Sequence, residues 1–307
     1  MSFSTVLFQM FALLIMIGAG LFAARRDMWD KHSNNCISRM IVNIFNPLLV
    51  FSSAANSVGK IPLQRMGAVG LAAAAMFLIF ILAGMLLAPL FDKDPAQRKI
   101  FQLMFVFSNL GFIGIPVVNS ILGTDYVVYV TEFMLVYNLV FYTYGMGLMD
   151  GRFTASSLKT MINPGNLFSI AGLLLIAANI HLPDFLLTAV TYLGNAASPL
   201  ALMSVGYTLM ISDPRMTFGS IKIYIFSIIK LLVLPLLLLP VLKILPIDPN
   251  LLPVCMVMLG MPVGNMPLML GTEKGIDCSV CTSAILVSTI LCIITIPILL
   301  TVTPIPA

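Results

Sequence analysis

Charge is what this 307-residue sequence has least of: only 9% of its residues are Asp, Glu, Lys or Arg. A soluble domain carries about 25%. With 60% hydrophobic residues and a mean hydropathy of +1.05, the composition reads as a multi-span membrane protein. Histidine is nearly missing, since His32 and His181 are the two present and both sit in or beside loops, so no imidazole pair on a helix offers a metal site. No aspartate falls inside an apolar run, which removes an intramembrane aspartyl protease. No GxxxxGK[ST] phosphate-binding loop occurs, which excludes a self-contained ATP-driven pump. The N-terminus lacks the charged region and small-residue cleavage site of a signal peptide, so the first apolar run is expected to be retained. The five cysteines (36, 255, 278, 281, 292) lie mostly in or beside apolar runs and read as small packing residues rather than a disulfide set. Cys278-Ser-Val-Cys281 has redox-motif spacing but opens an apolar span with no further ligands. The net charge of +4, spread over short loops, points to membrane orientation rather than nucleic-acid binding. No enzyme, catalytic residue, metal or organic cofactor is expected.

What is present is a series of apolar runs long enough to span a bilayer at about 20 residues each. They fall near 4–23, 36–57, 66–90, 98–121, 126–149, 163–180, 185–211, 219–243, 250–271 and 278–300. The prolines repeat across the two halves: Pro47 with Pro199 and Pro62 with Pro214 at an offset of 152, then Pro89 with Pro240, Pro95 with Pro246 and Pro116 with Pro267 at 151. The chain therefore reads as a duplicated unit, residues 1–150 and 151–307. Each unit has five spans, an odd number, so the second enters the membrane from the opposite side and the repeat is inverted. With the N-terminus outside, inner loops hold twelve Lys and Arg (25, 26, 31, 39, 93, 98, 99, 152, 159, 215, 222, 274) and outer loops three (60, 65, 243). That bias places both termini outside the cytoplasm. The fold class expected is an all-α membrane protein of ten transmembrane helices in two inverted five-helix repeats.

Two of the runs are broken at matching places. The first reads Ser108-Asn109-Leu110-Gly111-Phe112-Ile113-Gly114-Ile115-Pro116, and the second Gly260-Met261-Pro262-Val263-Gly264-Asn265-Met266-Pro267. Proline removes a donor and glycine permits non-helical backbone. In lipid the stranded N–H and C=O groups each cost several kcal/mol unless something satisfies them. Broken halves offer helix N-termini to an anion and carbonyl ends to a cation, so a pair of equivalent breaks points to a transporter binding site. Asn109, Asn119 and Asn265 add groups that both donate and accept. Asn43, Asn46 and Pro47 in span 2 approximately match Asn195, Ser198 and Pro199 in span 7, and these read as bends along a domain boundary.

Two ionisable groups lie within spans, Lys230 in span 8 and Glu132 in span 5. An intramembrane charge is expensive and is a functional hypothesis by default. Lys230 could serve substrate or coupling, pair with Glu132, or cap stranded carbonyls, and the sequence leaves these open. On span 5, Thr131, Asn138 and Gly145 recur every seven residues on one stripe, with Asn138 expected to face the interior.

The segments Ile41-Val-Asn43-Ile-Phe-Asn46-Pro47-Leu-Leu-Val-Phe51-Ser52, Ser108 to Pro116, Gly194-Asn195-Ala-Ala-Ser198-Pro199-Leu-Ala and the run from Leu259 to Pro297 resemble the auxin efflux carrier family, within the bile, arsenite and riboflavin transporter superfamily. The resemblance spans essentially the whole chain. It implies a scaffold of spans 1, 2, 6 and 7, possible as a homodimer interface, and a transport domain of spans 3–5 and 8–10 that moves like an elevator. Spans 4 and 9 would unwind and cross, with Asn109, Gly111, Gly114 and Pro116 on one arm and Asn265, Met266 and Pro267 on the other; Asn119 and Lys230 join them as substrate-binding candidates from the reading of the residues themselves. The short segment between the halves is like that of bacterial members, which are usually assigned small carboxylates such as malate or malonate. The implied function is secondary transport of a small organic anion, such a carboxylate or an auxin-like one, across the cytoplasmic membrane. The alternative is a sodium- or proton-coupled symporter of the bile-acid type, with Ser108, Asn109, Thr131, Glu132 and Asn138 as the ion-coupling set.

Overall fold

The computed structural model describes residues 3–60, 63–150, 162–211, 218–245 and 247–303. Pro62, Pro214 and Pro246 of the proline ladder, Arg152, Lys159 and Arg215, and the boundary of the two units at 150/151 on its second side lie outside the described residues. Helix dominates. Its pieces are α1 (Phe3–Arg25), α2 (Lys31–Asn56), α3 (Leu63–Phe91), α4 (Pro95–Val106), α5 (Leu110–Ile121), α6 (Thr124–Met149), α7 (Pro164–Ala178), α8 (Asp184–Ile211), α9 (Ile221–Ile244), α10 (Pro249–Leu259), α11 (Met266–Glu273) and α12 (Ser279–Thr301). Six of these, α2, α3, α6, α8, α9 and α12, contain stretches long and apolar enough to cross a membrane. Each apolar run read from the sequence contains helix, and the two runs expected to break are split, between α4 and α5 and between α10 and α11. Among the described residues there is no strand, and the chain is an all-α membrane protein.

The helix ends show why the acidic residues lie where they do. Asp30 accepts from Ser33 N at 2.8 Å, Asp94 from Gln97 N at 3.2 Å, and Asp277 from Ser279 N at 3.0 Å. Asp30 and Asp94 are N-caps, each satisfying a first-turn N–H that has no helical partner, a contribution of about 1 kcal/mol, while Asp277 lies one residue ahead of its helix's N-cap, Cys278. Three of the helices carry a single π turn just ahead of a proline: Ile41–Phe45 before Pro47, Leu110–Gly114 before Pro116, and Ile229–Val233 before Pro235. A proline ring clashes with the carbonyl four residues back. That carbonyl falls within the wider π turn each time, so the extra residue absorbs the clash without ending the helix.

Packing relies on small residues where helices touch. A Cβ on Gly20 of α1 would lie 2.0 Å from the Met203 carbonyl oxygen of α8, and one on Gly206 of α8 would lie 2.0 Å from that of Ile17. Close backbone approach of this kind replaces the hydrophobic driving force that helices lack in lipid. α3 and α9 are fastened reciprocally. Arg65 at the start of α3 pairs with Asp248 beyond α9 at 3.0 Å, and Lys222 at the start of α9 pairs with Asp92 beyond α3 at 2.9 Å. Lys222 lies 5.1 Å from the Phe101 ring centroid, beside a cluster in which Phe105 and Phe226 meet edge-on at 4.7 Å. The Lys222 ammonium hydrogen-bonds the Asp92 carboxylate and holds its pKa below the usual value.

Candidate substrate site at the crossing of two broken helices

The two breaks meet. α4 ends at Val106, and the backbone turns extended at Phe107 (φ −97°, ψ 96°) before α5 begins. Across it runs the second break, with Ser108 and Val263 forming an antiparallel bridge. Asn109 N donates to Pro262 O at 2.7 Å, and Gly264 N donates to Phe107 O at 2.9 Å. Two segments that each strand backbone groups thus satisfy one another, which resolves the cost of unwinding in lipid. Gly264 is required here, because a Cβ would lie 2.8 Å from Ser108 O. Ser288 of α12 completes the arrangement by accepting from Val263 N at 3.0 Å.

Lys230 is fully buried behind this crossing. Its ammonium donates to Phe105 O at 2.7 Å and to Ser108 Oγ at 3.0 Å, and lies 4.8 Å from the centroid of the Phe80 ring. It caps a stranded carbonyl at the negative end of α4. Of the roles left open by the sequence, this geometry matches the capping one. The ion pairs among the described residues are Arg65–Asp248 and Lys222–Asp92, so a Lys230–Glu132 pair is not among them. Glu132 instead faces α3, its Oε2 3.2 Å from where a Gly70 Cβ would be.

A cavity of about 30 Å³ opens beside the crossing. Asn109 and Phe112 of the first arm and Asn265 of the second line it, with Ser204, Val205 and Thr208 of α8 and Ile285, Leu286 and Thr289 of α12. A space of this size admits water but is too small for a dicarboxylate. The lining offers amides, hydroxyls and apolar walls, and Lys230 is not part of it. A larger hollow at Phe22, Arg25 and Arg26 belongs to the loop end of α1 and carries no convergent chemistry.

The other expected residues divide. Asn109 is buried, and its Oδ1 caps the first arm by accepting from Phe112 N at 3.2 Å. Gly114 lies against Met258 of α10, where a Cβ would be 3.4 Å from the sulfur. Pro116 and Pro267 are buried, Met266 is half-buried and Asn265 is exposed. Asn119 lies beyond the crossing and accepts from Thr124 Oγ1 at 2.8 Å. Thr131 is buried, and its hydroxyl has no hydrogen-bond partner among the described residues. Asn138 donates to Asn166 Oδ1 on α7, fastening α6 to α7. No group of three or more His, Cys, Asp and Glu able to hold a metal occurs among the described residues. Sequence reasoning missed the wall of α8, where Ser204 and Thr208 stand one turn apart, whereas Asn46, read as part of a bend along a domain boundary, reaches Gly111 O at 3.3 Å. The i, i+4 hydroxyls in an otherwise apolar span were the available signal.

Comparison with known proteins bears on this geometry. The sequence matches the family described as "Membrane transport protein", the auxin efflux carrier family, over residues 5–158 and 153–300. The chain belongs to this family. It is also 24% identical over 290 residues to an uncharacterized transporter of Methanocaldococcus jannaschii, covering 90% of this chain and 92% of that one. The crossing and its cavity therefore sit in a member of a membrane transport family, as the resemblance of the motifs implied.

Proposed function

We propose that this membrane transport family protein is a secondary active transporter of a small organic anion, a carboxylate of the malate or malonate size, working by elevator-type alternating access in the cytoplasmic membrane. The observation that carries the reading is the antiparallel pairing of the two breaks beside a cavity lined by Asn109 and Asn265. Such a centre presents amides and the N-terminus of α11 to an anion. Lys230, one layer behind, adds positive potential without touching the ligand.

The ten-span inverted repeat belongs to this proposal, and glycine packing supports it. Gly20 in α1 and Gly172 in α7 are 152 residues apart, as are Phe51 in α2 and Met203 in α8. Gly20 abuts the Met203 backbone, and Gly172 lies against Ala54 and Phe51. The same contact thus recurs between spans 1 and 7 and between spans 6 and 2, at the offset of the Pro47–Pro199 pair. Spans 1, 2, 6 and 7 as a scaffold that dimerises, and both termini outside, complete the reading.

The sodium-coupled alternative has less support, because the carbonyl end of α4 already holds a cation in Lys230. The decisive experiment is uptake of labelled malonate and malate into proteoliposomes, with and without a sodium gradient. Saturable uptake that Asn265→Ala weakens is expected. No flux of either acid under any gradient sinks the organic-anion reading, and uptake only with sodium transfers support to the alternative.

A further inference from the structure

Asn46 and Ser198 hold matching places in the two repeats, each directly before its proline and 152 residues apart. Their surroundings differ. Asn46 of α2 is buried and donates to the Gly111 carbonyl in the first break at 3.3 Å. Two turns further along the same face, Ser53 donates to the Thr124 carbonyl at the start of α6 at 2.7 Å. α2 is therefore fastened to the α5–α6 side. The hydroxyl of Ser198 in α8 is also buried, yet it has no hydrogen-bond partner among the described residues. α8 faces α12 across the cavity instead. At the 151-residue offset of the breaks, the residue matching Gly111 is Pro262. A buried polar group with no partner is costly in one conformation and understandable if a second conformation uses it.

We propose that Asn46 and Ser198 are alternating latches. Asn46, helped by Ser53, holds the first break against α2 in the conformation seen, and Ser198 takes a carbonyl of the second break when the transport domain moves to close the cavity against α8. This rests on the alternating-access reading above and adds to it the residues that set the balance of states. The latches are unequal. The counterpart of Ser53 is Val205, which has no side-chain donor, so two hydrogen bonds hold one closure and a single one holds the other. The state with the cavity beside α8 is the favoured one, and by the positive-inside orientation it is open toward the cytoplasm.

The test uses two cysteine reporters in separate proteins, each in a Cys36→Ser background, the other four cysteines being buried. Thr208→Cys reports the inner side and Asn56→Cys, its counterpart in α2, the outer side. Labelling by a membrane-impermeant maleimide is followed in inverted and right-side-out vesicles. One hydrogen bond of ordinary strength shifts a two-state ratio about five-fold. Asn46→Val or Ser53→Ala should speed outer labelling of the Asn56→Cys protein about five-fold. Ser198→Ala should slow it by a similar factor. Equal rates in all three variants, or shifts of one sign in all three, overturn the latches, and Ser53→Ala keeps the test open if Asn46→Val does not fold. If neither reporter labels from its own side before any latch is altered, alternating access itself is wrong.

Discussion

Replacing Lys230 with methionine tests whether its ammonium is part of the crossing's architecture. Methionine fills much of the same volume, so the change is mainly the loss of a cation and its donors. Phe105 O and Ser108 Oγ then lose the hydrogen bonds of 2.7 and 3.0 Å. A buried group left without a partner costs about 1–3 kcal/mol, and a desolvated cation over an aromatic ring contributes about 2 kcal/mol. Relief of the ammonium's own desolvation opposes these losses, but removing one side only of a buried charged contact is typically destabilising by about 3–5 kcal/mol. The expected net loss is about 3 kcal/mol, read as an earlier loss of the monodisperse peak on heating in detergent. Malonate should still stabilise the folded fraction of Lys230→Met, because the cavity lining does not include this side chain. In Lys230→Ala the vacated space at the carbonyl end of α4 should admit a small cation, so ammonium or sodium restores part of the stability while wild type stays indifferent. The reasoning is refuted if Lys230→Met matches wild type in stability, or if sodium stabilises wild type as strongly as Lys230→Ala.

Gly264→Ala should disrupt the crossing, since its Cβ would meet Ser108 O at 2.8 Å, whereas Gly18→Ala, with nothing within 4 Å, should leave thermal stability within about 0.5 kcal/mol of wild type. Asn265→Ala should abolish most of the malonate-induced thermal shift with little change in the unliganded protein, because the residue is exposed. Asn109→Ala should lose both, since its Oδ1 also caps Phe112 N, a contribution of about 1 kcal/mol. Asp92, whose pKa is lowered first by Lys222 and then by the Asp94 backbone N–H, contributes stability above its unfolded pKa that is lost as pH falls through the lower folded value. Both partners are partly exposed, so the amount is under about 1 kcal/mol. The stability gap between wild type and Asp92→Asn should therefore close on acidification below the usual carboxylate range, and a gap that widens there contradicts the pairing.

How far the sequence could be read follows from which forces act locally. Helix positions were legible because apolar runs of spanning length are a local signal. The breaks at Gly111–Pro116 and Gly260–Pro267 were legible for the same reason. Their pairing through Ser108 and Val263 is a contact between residues 155 apart, at which the duplication hinted and which the family resemblance implied. Asn138 shows the limit. Its seven-residue stripe suggested an interior site, yet a buried amide takes the nearest competent partner, here Asn166 on α7. Asn119 was drawn off in the same way by Thr124. The wall of α8 stayed hidden because serine and threonine in a lipid helix usually bond back to their own carbonyls, as Thr208 does to Ser204 O at 3.0 Å.

On the proposed duplication, the geometry of the centre comes from what the two repeats share, and its chemistry from where they differ. The shared prolines, Pro116 and Pro267, give two broken helices that can cross. The asparagines do not correspond: Asn109 matches Gly260 at 151 residues, and Asn265 matches Gly114. Each break therefore carries one amide, on opposite sides of its own unwound stretch, and both amides line the one cavity. A symmetric pair of asparagines would instead present its amides to the two faces of the crossing in equal measure. The cation is unpaired in the same sense, since the positions matching Lys230 are Leu78 and Ile79, next to the Phe80 ring over which the ammonium sits. The carbonyl end of α4 is thus neutralised from the second repeat, while the first repeat returns no charge to the end of α10. The centre thus carries amides at the cavity and a buried lysine behind them, an asymmetry that a strictly repeated sequence could not build.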